Sequence, residues 1–227
     1  MIRFFVDFDG TVTTEDVVDL VLDRFAAAEW KSVEKEWAEG KIGSRECLSR
    51  QVALVRAGRE DMEKLLSEVR IDPYFQEFLR TASAFAIPVA VVSDGFDKVI
   101  HEILRRSVAP LLLEKLPVFC NRLEWNGERP TALFAGDGTC AHGCANCKPA
   151  VIDSLRKPGD FVLFAGDGLS DRFAAETADL TFAKDKLLGF CRERGLRHTE
   201  YKNFNDLIRW MRSGDFSLVQ AGHAARV

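Results

Sequence analysis

Residues 2–13 read IRFFVDFDGTVT, an apolar run that breaks abruptly at Asp7, Asp9 and Gly10. In a strand, residues two apart point to the same side, so Asp7 and Asp9 can address one site while Phe8 turns to the opposite face. Gly10 lets the chain leave that site sharply. Two clustered carboxylates repel each other, and a divalent cation is the natural relief. Taken alone, the same Asp-x-Asp would more often be a solvated turn.

Working outward, the same punctuation recurs in IPVAVVSDG (87–95), DFVLFAGDG (160–168) and, more weakly, ADLTFA (178–183), each with a helix-like segment after it. Such alternation predicts an α/β fold, a Rossmann-like parallel sheet flanked by helices. In open sheets of this kind ligands sit beyond the carboxyl ends of the strands, which is where these runs place their polar residues. Between the first and second runs no strand signal intervenes. Val17, Leu20, Val21 and Phe25 share one helical face, as do Leu48, Val52 and Val55, so the region reads as amphipathic helices. The expected organisation is therefore a core of residues 1–13 and 73–227 with an inserted all-helical cap at 14–72. Asp72-Pro73 is the return point, since a residue before proline resists helix.

The pentapeptide FAGDG occurs twice, at 134–138 and 164–168. The first copy closes PVFCNRLEWNGERPTALFAG (117–136), where Asn126-Gly127 between apolar segments signals a small β-hairpin. Asp137 is thus read as a decoy. The second copy ends a core strand, and only it is followed four residues later by another carboxylate, Asp171.

Composition narrows the function. With 227 residues and 47% hydrophobic content, the chain can bury a sizeable core. A net charge of −4 leaves no electrostatic footprint for nucleic acid, no basic run suggests a membrane surface, and small-molecule chemistry is the better expectation. No apolar run reaches the roughly 18 residues that span a bilayer, and the leaderless start predicts a cytoplasmic protein. Its six cysteines are then expected as reduced thiols or metal ligands.

Further groups join the two aspartates: Ser93-Asp94-Gly95, Lys148 at a helix start before Pro149, and Asp167 with Asp171. Hydroxyl, amides and ammonium make a phosphate cradle, and carboxylates hold a hard cation. Taken in order, DFDGT, VVSDG, Lys148 and GDGLSD resemble the four motifs of the haloacid dehalogenase superfamily of phosphotransferases. That resemblance implies a phosphomonoesterase in which Asp7 is the nucleophile forming an aspartyl-phosphate and Asp9 is the general acid and base. It implies Mg2+ held by Asp7, the backbone carbonyl of Asp9 and Asp167, with Asp171 a ligand through water or an orienting group. Ser93, Asp94, Gly95 and Lys148 would bind the phosphoryl group, with Lys148 also offsetting charge in catalysis. The presence of Asp9 argues against dehalogenase chemistry, and no carboxylate or lysine has been lost, as a silent binding protein would allow.

The helical insertion resembles that of phosphoserine phosphatases. Glu15 could match their glutamate soon after the first motif, but Ser49 falls where their substrate-gripping arginine stands. Arg50 lies one place on, about 100° around the helix, and is the remaining candidate for a substrate contact. A closer resemblance is to the methionine-salvage phosphatases that act on 2-hydroxy-3-keto-5-methylthiopentenyl-1-phosphate. It is carried by Trp30 and Trp37, by FCNRLEW (119–125) and by CAHGCANCKP (140–149). The expected partner is a small phosphorylated metabolite and the expected assembly a monomer or homodimer; phosphoserine hydrolysis or phosphotransfer to another acceptor stay open as alternatives. Cys140, His142, Cys144 and Cys147 have the residue types of a Zn2+ site. Yet they crowd into eight residues, so a loop of reduced thiols beside the pocket is the preferred reading and zinc the lesser one.

Overall fold

The computed structural model describes residues 1–127, 129–136, 140–217 and 219; Asp137 lies outside them. The chain begins with β1 (Ile2–Val6), followed by α1 (Val17–Phe25), α2 (Trp30–Ala38), α3 (Ser44–Leu54) and α4 (Arg59–Glu68). Then come α5 (Phe75–Ala84), β2 (Val89–Phe96), α6 (Asp97–Ser107), α7 (Pro110–Leu113), β3 (Val118–Asn126) and β4 (Arg129–Leu133). The remainder comprises α8 (Lys148–Leu155), β5 (Phe161–Gly166), a 3-10 turn (Leu169–Asp171), α9 (Arg172–Thr177), β6 (Leu180–Ala183), α10 (Asp185–Arg194), β7 (His198–Glu200) and α11 (Phe204–Met211).

Seven strands form one sheet in the order β4-β3-β2-β1-β5-β6-β7, parallel throughout except for the β3–β4 pair. The first strand is central, and its alternation feeds two cores. Phe4, Val6 and Phe8 join the cluster containing Phe75, Phe78 and Phe204, whereas Phe5 joins Ile152, Ala174 and Leu187 on the other side. Burial on both faces explains why this run is almost continuously apolar. Strand order reverses at β1, so the crevice beyond its carboxyl end is the topological switch point at which ligands gather in such sheets.

The hairpin expectation needs enlarging. Trp125 and Asn126 do pair antiparallel with Pro130 and Arg129, but Val118 and Phe119 also pair parallel with Val91 and Val92. Thus β3 is a strand of the main sheet as well as one arm of a hairpin. The short β7, paired with β6 through Thr181 and His198, had no distinct sequence signal.

The chain leaves and re-enters the sheet layer through two adjacent segments. Thr13 and Ile71 form an antiparallel bridge, the Thr14 amide donates to the Arg70 carbonyl at 3.1 Å, and the Asp72 amide donates to the Val12 carbonyl at 2.8 Å. Asp72 is buried and accepts from the amides of Tyr74 and Phe204, tying the crossing to α5 and α11. Between them lie α1–α4, whose Val17, Val21, Leu22, Trp30, Val52 and Met62 are buried in the same cluster as Phe4 and Phe8. No helix among the described residues is long and apolar enough to cross a membrane.

Candidate active site

Three strand ends build the floor of the site. The Asp7 amide still donates to the Ala165 carbonyl at 2.9 Å, so β1 geometry persists to that carboxylate, which is 4% exposed. Gly10 has φ +68°, and a Cβ there would lie 2.5 Å from Asp167 Oδ2; only glycine lets the first loop pass this closely under the end of β5. Ser93 is fully buried at the end of β2, where its hydroxyl accepts from the Gly95 amide at 2.8 Å and donates to Asp9 Oδ2 at 3.2 Å. Asp9 Oδ1 accepts from the Val17 amide at 3.3 Å, at the start of α1.

Lys148, 2% exposed, opens α8 and points under these ends. Its Nζ donates to Asp7 Oδ1 at 2.7 Å and to Asp171 Oδ1 at 2.5 Å. Asp171 Oδ2 accepts from the amides of Asp167 and Gly168 at 3.0 and 3.1 Å. Both oxygens of Asp171 are therefore engaged, and it orients the lysine and the turn. Thr11 donates to Asp167 Oδ1 at 2.6 Å. The start of α8 is itself pinned by Asn146: its amide donates to Asp94 Oδ1, and its side chain to the carbonyls of Ser93 and Phe119. Sequence reasoning missed Thr11 and Asn146. Thr11 lay inside a motif already quoted, whereas nothing local marked Asn146.

The electrostatics is that of crowded anions. Burial and the neighbouring Asp171 push the Asp7 carboxyl well above the usual range despite Lys148. Burial and Asp16 raise Asp9 to about 8, and burial and Asp171 raise Asp167 to about 7. Burial works against the charge on Lys148, but Asp171 and Asp7 outweigh it and hold the ammonium above its ordinary value. One buried cation facing several carboxylates leaves a deficit of positive charge. Oxygen ligands of Asp7, Asp167 and Asp171 lie within 4.8 Å of one another; this all-oxygen donor set fits a small hard dication such as Mg2+.

Above the floor is a cavity of about 330 Å³ lined by Asp7, Asp9, Asp94 and Asp167 below and by Val18, Asp19, Glu34, Trp37, Leu48 and Gln51 from the helices. Not every expected residue reaches it. Glu15 is exposed, and its carbonyl accepts from Gly10 and Thr13. Arg50 is turned outward into a bidentate pair with Glu36 (2.7 and 3.0 Å) and a looser contact with Glu46. Arg45 instead approaches the sheet layer, donating to the carbonyls of Ala135 and Gly136 and covering Phe134. Cys140, His142, Cys144 and Cys147 gather on the loop ahead of Lys148, with Cys140 Sγ 3.6 Å from Cys147 Sγ. Despite its burial, the amides of Cys144 and His142 bring the Cys140 thiol down to about 7.

Comparison with known proteins identifies the family and the fold. The haloacid dehalogenase-like hydrolase family matches residues 4–176. A 2-hydroxy-3-keto-5-methylthiopentenyl-1-phosphate phosphatase from Bacillus pumilus (strain SAFR-032) is 32% identical over 205 residues, 88% of this chain and 87% of its own. One of the same name from Geobacillus kaustophilus (strain HTA426) is 32% identical over 208 residues, covering 90% and 92%. Among solved structures, a phospho-aspartyl intermediate analogue of phosphoserine phosphatase superposes with a TM-score of 0.71 at 23% identity, covering 92% of this chain and 97% of that one; at that identity the likeness speaks for the fold. The chain therefore belongs to the haloacid dehalogenase-like hydrolases, and among them to the enzymes that hydrolyse phosphoric monoesters.

Proposed function

We propose that the protein hydrolyses 2-hydroxy-3-keto-5-methylthiopentenyl-1-phosphate with Mg2+, by way of an aspartyl-phosphate on Asp7, and that residues 14–72 act as a cap over a core of 1–13 and 73–227. Asp7 attacks phosphorus as the bond to the leaving oxygen breaks, which divides hydrolysis into two easier displacements. Asp9 protonates that oxygen and then takes the proton of the incoming water. A carboxyl held at about 8 by burial and Asp16 carries a proton at neutral pH, the state a general acid needs. Ser93, with the amides around Asp94 and Gly95, binds the transferring oxygens, and Lys148 offsets their charge. Asp7, the Asp9 carbonyl and Asp167 would hold the Mg2+, whose positive charge lowers the repulsion between nucleophile and phosphate.

The observation that carries the substrate reading is the composition of the cavity wall. Trp37, Leu48 and Val18 offer apolar surface to a methylthio group, while Asp19, which burial raises to about 7, Glu34 and the cation Lys186 line the same cavity. No arginine lines the cavity among the described residues, and Arg50 is committed to Glu36. Lys186 is a cation of the same lining and is drawn on by Asp16 and Asp19, so the carboxylate of phosphoserine would find no bidentate guanidinium partner here. The names of the relatives point the same way.

The test is phosphate release with Mg2+ from the enol phosphate, phosphoserine and a panel of sugar phosphates. We expect kcat/KM for the enol phosphate to exceed that for phosphoserine by about 100-fold or more, and Asp7→Asn to abolish both. Faster turnover of phosphoserine would overturn the substrate assignment, and Mg2+-dependent turnover by the Asp7→Asn variant would overturn the mechanism.

A further inference from the structure

The loop that delivers Lys148 carries a second donor set that the phosphatase chemistry does not use. Cys140 Sγ, Cys144 Sγ and a ring nitrogen of His142 lie within 4.8 Å of one another. Nδ1 of His142 is 4.0 Å from Cys140 Sγ, and Cys147 Sγ is 3.6 Å from that same sulfur. A tetrahedral zinc centre with Zn–S of about 2.3 Å and Zn–N of about 2.05 Å has S···S edges of about 3.8 Å and S···N edges of about 3.6 Å. The Cys140–Cys147 pair stands near the S···S edge and the Cys140–His142 pair near the S···N edge, far from the roughly 2.05 Å of a disulfide, and the thiols are free.

Crowding into eight residues, which counted against a metal in the sequence, is resolved by the backbone. Gly143 has φ +63°, so the chain reverses between His142 and Cys144 and brings both flanks to one point. The His142 ring lies flat on Phe173 of α9, with centroids 3.8 Å apart and planes at 17°, which fixes its orientation. The outer side of the turn touches the α3 start, where the Arg45 amide donates to the Gly143 carbonyl at 3.0 Å. Two sulfur-rich arms, an oriented imidazole and no carboxylate among the described donors make a set for a borderline-soft ion, unlike the oxygen set at Asp7.

We propose that Cys140, His142, Cys144 and Cys147 bind one structural zinc ion that locks this loop between α9 and α3 and so holds the start of α8, and with it Lys148, in register under the strand ends. This does not rest on the substrate or mechanism proposed above, because a closed four-ligand site contributes stability and position, not a reacting group.

The experiment is metal analysis of the full chain, purified under reducing conditions, incubated with Zn2+ and desalted, together with Co2+ substitution. The expected result is about one zinc per chain and, with Co2+, the intense absorption of tetrahedral thiolate coordination. Cys144→Ser and His142→Ala should each cut zinc retention severalfold, whereas Cys191→Ser, at a buried thiol outside the cluster, should leave it unchanged. Wild-type protein that keeps under about one-tenth of an equivalent of zinc and gives no cobalt–thiolate band would overturn the proposal. So would thiol counting that finds Cys140 and Cys147 joined as a disulfide in the protein as purified. Both decisive readouts use the wild-type fold, so a variant that fails to fold does not shield the idea, and neither depends on phosphatase activity.

Discussion

Replacing Lys148 by methionine tests the charge balance at the heart of the site. Nζ meets Asp7 at 2.7 Å and Asp171 at 2.5 Å, with the side chain only 2% exposed. At an effective dielectric near 20, each contact is worth about 6 kcal/mol before desolvation is subtracted. Removing one partner of such a buried pair costs about 3–5 kcal/mol, because the remaining charge is stranded. For a domain of this size, each kcal/mol lowers Tm by about 2–4 °C, so Lys148→Met should melt about 10 °C below the wild type near pH 8. The loss should shrink in acid. Asp7 is already held above its ordinary value, chiefly by burial, and without the ammonium its folded pKa rises further. A group with a raised folded pKa gives stability that is complete below its unfolded value, near 4, and is lost as pH climbs toward the folded value. The Tm gap should therefore widen between pH 5 and pH 8, and Mg2+ should raise the variant's Tm more than the wild type's by replacing the missing charge. Turnover should fall by about 100-fold or more as a buried electrostatic donor is lost. Scanning calorimetry at the two pH values and initial rates are the assays. A variant that melts with the wild type at both pH values and retains half its turnover would refute the reasoning.

Gly43→Ala should wedge the helical layer from the Cys-rich loop, since the new Cβ would stand 2.5 Å from the Gly143 carbonyl oxygen and 2.8 Å from its Cα. Overpacking of this kind costs about 1–3 kcal/mol, visible as a lower Tm, whereas Gly189→Ala, with open space in the middle of α10, should gain about 0.5–1 kcal/mol. Asp160→Asn should destabilise by about 1–3 kcal/mol at neutral pH. Although burial opposes it, Arg3 and the Lys157 amide hold the Asp160 carboxyl well below the usual range. A depressed folded pKa gives stability that is present above the unfolded value, near 4, and is lost as pH falls through the folded one. The Tm difference between wild type and Asp160→Asn should therefore hold from pH 7 to pH 5 and close in stronger acid.

What the sequence made legible is what depends on short range. The strand period put Asp7 and Asp9 on one side and Phe8 in the core, and the break at Gly10 is the close pass beneath Asp167. The second FAGDG was separable from the first because a carboxylate followed it at the spacing of one helical turn. Groups whose meaning comes only from closure of the sheet were not legible. Thr11 and Asp167 are 156 positions apart; Asn146 looks like any loop asparagine until β2 and β3 lie beside it to receive its side-chain donors. The same reason hid the second role of β3, whose half-exposed alternation looks like a hairpin arm whichever strand lies on its other side.

Arg50 marks the limit most sharply, because there one helical position separates the two substrate readings. Ser49 and Arg50 differ by about 100° around α3, and that rotation carries the guanidinium out to Glu36 and Glu46, leaving Leu48 and Gln51 to face the cavity. A sequence shows that an arginine is nearby; only the helix phase, set by Cys47, Leu48 and Val52 packing inward, shows that it is spent elsewhere. Once it is spent, Lys186 is the cation left beside Asp19 and Glu34 among the described lining residues. On the proposed substrate reading, the outward turn of this one side chain removes from the cavity wall the guanidinium that a substrate carboxylate would need.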